Sequence, residues 1–125
     1  HNKNRIKCHS LNNTKQIKDL SDNIDIIGID EAQFFDESII DVCNDLAKDG
    51  KRIIVAGLDR DYKAIPFGPM ANLLAHADRI TKLNAICMVC GNEASFSQRL
   101  TNDDSQILVG ESEKYEARCR NCYES

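Results

Sequence analysis

A chain of 125 residues with a net charge of −4 and 42% hydrophobic residues has the size of one modest domain with room for a small appendage. No apolar run approaches the roughly 20 residues that span a bilayer, and no stripe of Lys and Arg marks a nucleic-acid surface. The composition therefore reads as a soluble, cytoplasmic chain with neither membrane nor nucleic acid as partner. It opens at His1 in polar sequence, which reads as a portion of something longer.

Residues 14–20 suggest a short helix. The run Ile24-Asp25-Ile26-Ile27-Gly28-Ile29 is β-branched and nearly continuous, the pattern of a buried strand in a parallel sheet. Asp36 or Ser38 can cap a following helix whose apolar positions are Ile39, Cys43, Leu46 and Ala47, and Gly50 suits its C-terminal end. A second strand is predicted over 51–58, centred on Ile53-Ile54-Val55-Ala56. This alternation predicts a βαβ unit with helices over both faces of the sheet. A loop over 59–69, a short helix over 69–78 and a last strand over 79–86 complete a first domain, residues 1–86.

Residues 87–125 differ in composition. They hold four of the six cysteines in two pairs, Cys87-x-x-Cys90 and Cys119-x-x-Cys122, with too few apolar residues for a core. Two such pairs can give four thiolates to one tetrahedral zinc, whose binding replaces the missing core. Four sulfur ligands leave no open position, so the metal is structural. Disulfides or a redox pair explain the matched spacing less well. Cys43 falls on a helix face and reads as core; Cys8 stands alone.

Asp30-Glu31 follow the first strand, where open α/β sheets bind ligands. A carboxylate there can sit beside a nucleotide-bound Mg²⁺ while its neighbour takes a proton from an attacking hydroxyl. The same residues can also be solvated acids at a strand end, and the phosphate-cradling pattern G-x-x-x-x-G-K-[ST] does not occur in these 125 residues. Phe34, Phe35, Tyr62 and Phe67, taken alone, are more readily read as core.

The segment Ile29-Asp30-Glu31-Ala32-Gln33-Phe34-Phe35 closely resembles the signature strand end of the cytosolic and bacterial thymidine kinases, the zinc-containing type II family. The resemblance continues in order through Ala56-Gly57-Leu58-Asp59, Tyr62, Pro66-Phe67-Gly68, Lys82-Leu83, the first cysteine pair, Gln98-Arg99-Leu100, Lys114-Tyr115 and Cys119-Arg120-Asn121-Cys122. It implies an α/β fold, a P-loop NTPase-like (RecA-like) parallel-sheet fragment with a C-terminal zinc-ribbon lasso domain, without the N-terminal phosphate-loop segment. The implied activity is transfer of the ATP γ-phosphate to the thymidine 5′-hydroxyl in nucleoside salvage, giving dTMP. A nucleoside- or protein-binding zinc module is the alternative if no phosphate loop accompanies the chain.

The resemblance also assigns residues. Glu31 is the general base; Asp30, Glu31, Ala32 and Gln33 face ATP and its Mg²⁺, with Gln33 also shaping the nucleoside pocket. Phe34, Leu58, Tyr62, Phe67 and Tyr115 line the thymidine pocket, and Gln106, Ile107, Leu108, Val109 and Gly110 form a lasso that reads the base with backbone groups. Cys87, Cys90, Cys119 and Cys122 hold zinc. Arg99 can meet phosphate but reads more readily as a structural salt bridge or loop anchor, and no histidine matches a catalytic pattern. A homotetramer and feedback inhibition by dTTP are further implications.

Overall fold

The computed structural model describes residues 6–11, 13–101 and 114–125. Helix α1 (Lys15–Leu20) leads to strand β1 (Ile26–Ile29), helix α2 (Ser38–Lys48) and strand β2 (Arg52–Val55). β1 and β2 pair in parallel, Ile26 opposite Arg52 and Ile29 opposite Val55, so α2 is the crossover of a βαβ unit. Asp36 starts α2: its carboxylate accepts hydrogen bonds from the Ser38 N–H and hydroxyl, which hold it below its ordinary pKa. Gly50 ends the helix at φ 87°, a left-handed backbone that favours glycine. Helix α3 (Met70–His76) follows the loop after β2.

The core gathers Ile17 of α1, Ile39, Val42 and Leu46 of α2, Met70 and Leu73 of α3, and Ile29, with Ile27, Ile53 and Val55 packed against it. Alternation along the strands sends Ile26 and Ile54 the other way, where they are 61% and 51% exposed. Helices over both faces were expected; among the described residues they lie over one. The near-continuous apolar runs of both strands thus have a covered face and a bare one. Helical periodicity also sorts differently from expectation. Val42 is buried, Cys43 only half so, with its thiol pKa pushed up by burial, and Ala47 has drifted off the apolar face to solvent.

The strand expected over 79–86 shrinks to β3 (Ala85–Ile86). Ile80 and Leu83 are 53% and 88% exposed; apolar spacing without a partner strand does not make a ladder. β3 pairs antiparallel with β4 (Glu93–Ala94), and β5 (Phe96–Arg99) with β6 (Tyr115–Arg118). These short ribbons surround a small core of Cys87, Ala94 and Cys119. No described helix is long and apolar enough to cross a membrane.

Aromatic and cationic groups join the ribbons to the α/β unit. Arg60 donates to the Ser95 carbonyl at 2.8 Å, and its guanidinium lies 4.1 Å from the Phe96 ring centroid. Phe96 stacks on Tyr123 at 4.5 Å, whose hydroxyl donates to the Tyr62 carbonyl. Lys82 bridges Asp59 at 2.8 Å.

Candidate functional site

β1 ends at Ile29, and the backbone then reverses through Glu31 at φ 54°, ψ 42°. A left-handed turn costs a non-glycine residue about 1–2 kcal/mol, and such strain collects where a side chain must be aimed. Three bonds fix the turn: Asp30 Oδ1 accepts from the Glu31 N–H at 2.9 Å, the Ala32 N–H donates to the Ala56 carbonyl at 3.0 Å, and the Ala56 N–H donates to the Ile29 carbonyl at 2.8 Å. Both carboxylates are exposed at the carboxyl end of the sheet, whereas Ala32 and Gln33 are buried beneath them. Gln33 Nε2 donates to Glu31 Oε2 at 2.8 Å. Its Oε1 accepts from the Leu58 N–H, in the segment that follows β2, at 3.1 Å.

Phe34 and Phe67 meet edge to face with centroids 5.7 Å apart. Phe67 is buried while Phe34 and Leu58 are about half exposed, and both of the latter are tied to Gln33, Phe34 as its chain neighbour and Leu58 through its N–H. Gly68 closes this corner. A Cβ there would lie 2.2 Å from the Gln33 carbonyl oxygen, so no other residue fits without moving the backbone.

Tyr62 belongs to a second group. It sits on the loop between Asp59 and Phe67, whose ends meet through the Phe67 N–H and Asp59 carbonyl at 3.0 Å. The Arg99 guanidinium stacks 3.7 Å from the Tyr62 centroid and donates to the Tyr115 hydroxyl at 2.6 Å. Arg99 is buried, which fits the expected anchor. Arg99 and Tyr115 face each other in the β5–β6 register, and the Leu100 N–H donates to the Lys114 carbonyl at 2.9 Å. The chain on either side of 102–113 is therefore held together. A cavity of about 510 Å³ beside this group is lined by Tyr62, Lys63, Gln98, Arg99, Thr101 and Tyr123; it does not reach Glu31. The expected lasso residues Gln106, Ile107, Leu108, Val109 and Gly110 lie outside the described residues.

Sequence reasoning missed Asp61, Arg60 and Tyr123. Asp61 is 6% exposed, and its Oδ1 accepts from the Lys63 N–H at 2.8 Å and the Ile65 N–H at 3.1 Å. The available signal was an Asp followed closely by residues needing a turn, the usual setting for a side chain that satisfies backbone donors. Asp61→Ala removes the acceptor that holds the Lys63 and Ile65 N–H groups and so the turn between them. It is expected to cost about 1–3 kcal/mol, seen as a lowered thermal midpoint that Asp61→Asn partly restores.

The four paired cysteines come together with their sulfurs all within 4.8 Å of one another, and Cys90 and Cys119 are 3.6 Å apart. Zn–S bonds of about 2.3 Å imply tetrahedral edges of about 3.8 Å, so this donor set fits a zinc-type ion. None of the cysteines forms a disulfide. Gly91, at φ +79°, allows the first knuckle to turn, its N–H donating to the Cys87 carbonyl at 2.9 Å. Burial opposes ionisation of Cys87, but N–H groups of Cys119, Cys90 and Val89 overcome it and bring its pKa down to about 6. The Cys122 N–H lowers Cys119 too, while donation to the Cys119 sulfur pushes Cys122 up to about 12. Sulfurs this close share negative charge poorly on their own; a divalent cation removes the conflict.

The sequence model described as thymidine kinase matches residues 1–123. A thymidine kinase of Bacteroides fragilis is 51% identical over 124 residues, covering 99% of this chain and 62% of that protein. One from Rhodothermus sp. is 48% identical, covering 99% of this chain and 58% of its own length. One from Porphyromonas gingivalis is 46% identical over 123 residues, covering 98% and 60%. The chain thus spans about three-fifths of the length of these curated relatives.

Proposed function

Because the chain belongs to the thymidine kinase family, we propose that the full-length protein carrying it transfers the γ-phosphate of ATP to the 5′-hydroxyl of thymidine, giving dTMP and ADP for nucleoside salvage. The observation that carries this reading is the Glu31 carboxylate, exposed on a left-handed turn at the end of β1 and joined through Gln33 to Leu58 in the segment after β2.

Glu31 takes the proton of the 5′-hydroxyl as that oxygen bonds to the γ-phosphorus. The bond from the γ-phosphorus to the β–γ bridging oxygen breaks, and ADP leaves with that electron pair. A carboxylate suits this role because it accepts the proton only as the oxygen becomes acidic in the transition state. Asp30, an exposed carboxylate, has the hard oxygen donors that Mg²⁺ prefers and would hold it beside the nucleotide. When bound, that ion neutralises charge on the phosphate oxygens.

Phe34, Leu58 and Phe67 offer flat and aliphatic surface to the pyrimidine, with Tyr62 and Tyr115 closing from the ribbon side. The lasso over 106–110 reads the base edge, and zinc on Cys87, Cys90, Cys119 and Cys122 holds the two ends of that segment in place. Residues 1–86 then act as the nucleotide-kinase domain, of P-loop NTPase type, and 87–125 as the lasso domain. A cytoplasmic homotetramer inhibited by dTTP completes the proposal. Label transfer from γ-labelled ATP to thymidine by the full-length protein tests it.

A further inference from the structure

We propose that Gln33 is a positioning residue for the Glu31 carboxylate, acting as a two-ended clamp that fixes the base against the segment following β2. The inference rests on the assignment of Glu31 as the base. Gln33 is 3% exposed, so its amide is not a solvating group and both ends must be satisfied inside the protein. Its orientation follows from its neighbours. Oε1 faces the Leu58 N–H and Nε2 faces Glu31 Oε2. The flipped amide would set donor against donor and oxygen against carboxylate.

Space around Gln33 is reserved by two glycines. A Cβ on Gly57 would lie 2.8 Å from Gln33 Oε1 and 3.2 Å from the Ala32 nitrogen, and one on Gly68 would lie 2.2 Å from the Gln33 carbonyl oxygen. Gly57 therefore lies against the amide itself, and Gly68, in the turn before α3, against the backbone of the same residue. The clamp holds only one oxygen of the carboxylate. Glu31 Oε1 has no partner among the described residues, which leaves it to meet the hydroxyl proton. A free glutamate on an exposed turn samples several rotamers, and holding one of them raises the fraction of encounters in reactive geometry.

The clamp acts on the chemical step and not on affinity. In the full-length protein, Gln33→Met removes both hydrogen bonds at nearly constant length, and Gln33→Glu keeps an acceptor for Leu58 while presenting a carboxylate to Glu31. Both should lower kcat about 10- to 100-fold while leaving KM for thymidine and ATP within about threefold. Placed on Glu31→Gln, the Gln33→Met change should cost less than about threefold more, because the group it positions is already gone. A loss carried by KM, an equal loss in both backgrounds, or an unchanged kcat in a folded Gln33→Met protein overturns the clamp.

A spectroscopic reading needs no change at the buried residue. The Gln33 side-chain NH₂ proton resonance should move upfield in Glu31→Gln, where a charge-assisted bond becomes a neutral one; an unmoved resonance also overturns the clamp. If Glu31→Gln keeps full activity, the base assignment falls, whereas loss at Glu31→Gln with none at Gln33→Met overturns the clamp alone.

Discussion

Glu31→Gln lowers kcat for phosphate transfer to thymidine by about two orders of magnitude or more in the full-length protein, with KM for both substrates within about threefold. The substitution isolates one property. Glutamine has the length of glutamate, and its carbonyl oxygen can still accept the 2.8 Å hydrogen bond from Gln33 Nε2. The turn is set by the Glu31 N–H donating to the Asp30 carboxylate and the Ala32 N–H donating to the Ala56 carbonyl, and these do not involve the Glu31 side chain. Because that side chain is exposed, the thermal midpoint should hardly move. What disappears is the proton acceptor, so a fall confined to kcat points to the chemical step. An activity kept within about threefold, measured by single-turnover transfer, removes Glu31 from the role of base.

Loss of the metal comes second in size and acts by a different route. Cys87→Ser or Cys119→Ser replaces a buried sulfur whose environment favours the thiolate with a hydroxyl that does not ionise near neutral pH. The ribbon pairs hold only two to four residues per strand, and their small core consists largely of the ligands themselves, so little remains to order them without the ion. Metal content should fall from about one ion per chain to well below half, proteases should cut within the cysteine region, and transfer activity should drop at least about tenfold. Helical circular dichroism should persist, since the core of α1, α2 and α3 contains no metal ligand. Cys8→Ser, at an exposed cysteine, should change neither metal content nor activity. Full metal content in Cys87→Ser would remove that residue from the ligand set.

The effect should reach the substrate side through identifiable contacts. Phe96 of β5 lies between Tyr123, which follows the second cysteine pair, and Arg60 on the loop after β2. Tyr123 in turn bonds the Tyr62 carbonyl. A ribbon that loses order releases the loop carrying Tyr62 and leading to Phe67.

The parts of this arrangement that depend on neighbours in sequence were legible before the fold. Asp36 and Gly50 mark the ends of α2 because capping is decided within a turn or two of chain. The cysteine quartet was legible because metal chemistry fixes the number and kind of ligand and each knuckle is a local turn. Long-range pairing was not. Nothing in the order of residues says that Arg99 stacks on Tyr62 or that Phe96 meets Tyr123, since these depend on the β5–β6 register and on how the ribbon docks. Apolar spacing misled over 79–86, where Ile80 and Leu83 lack a strand to pair with, and over Ile26 and Ile54, whose apolar character does not reveal which face of the sheet is covered. The acids after β1 were recognisable by resemblance. Gln33 was assigned by the same resemblance to the nucleotide and nucleoside side, but its buried link from Glu31 to the Leu58 N–H was not legible, because it depends on how the segments after the two strands meet.

The most direct measurement incubates the full-length protein with thymidine and γ-labelled ATP and identifies the labelled product. The expected result is label on the 5′-oxygen of thymidine, with ADP formed in equal amount and with Glu31→Gln strongly impaired. A folded, metal-loaded protein that leaves thymidine unlabelled would contradict the kinase reading and favour a nucleoside-binding module instead.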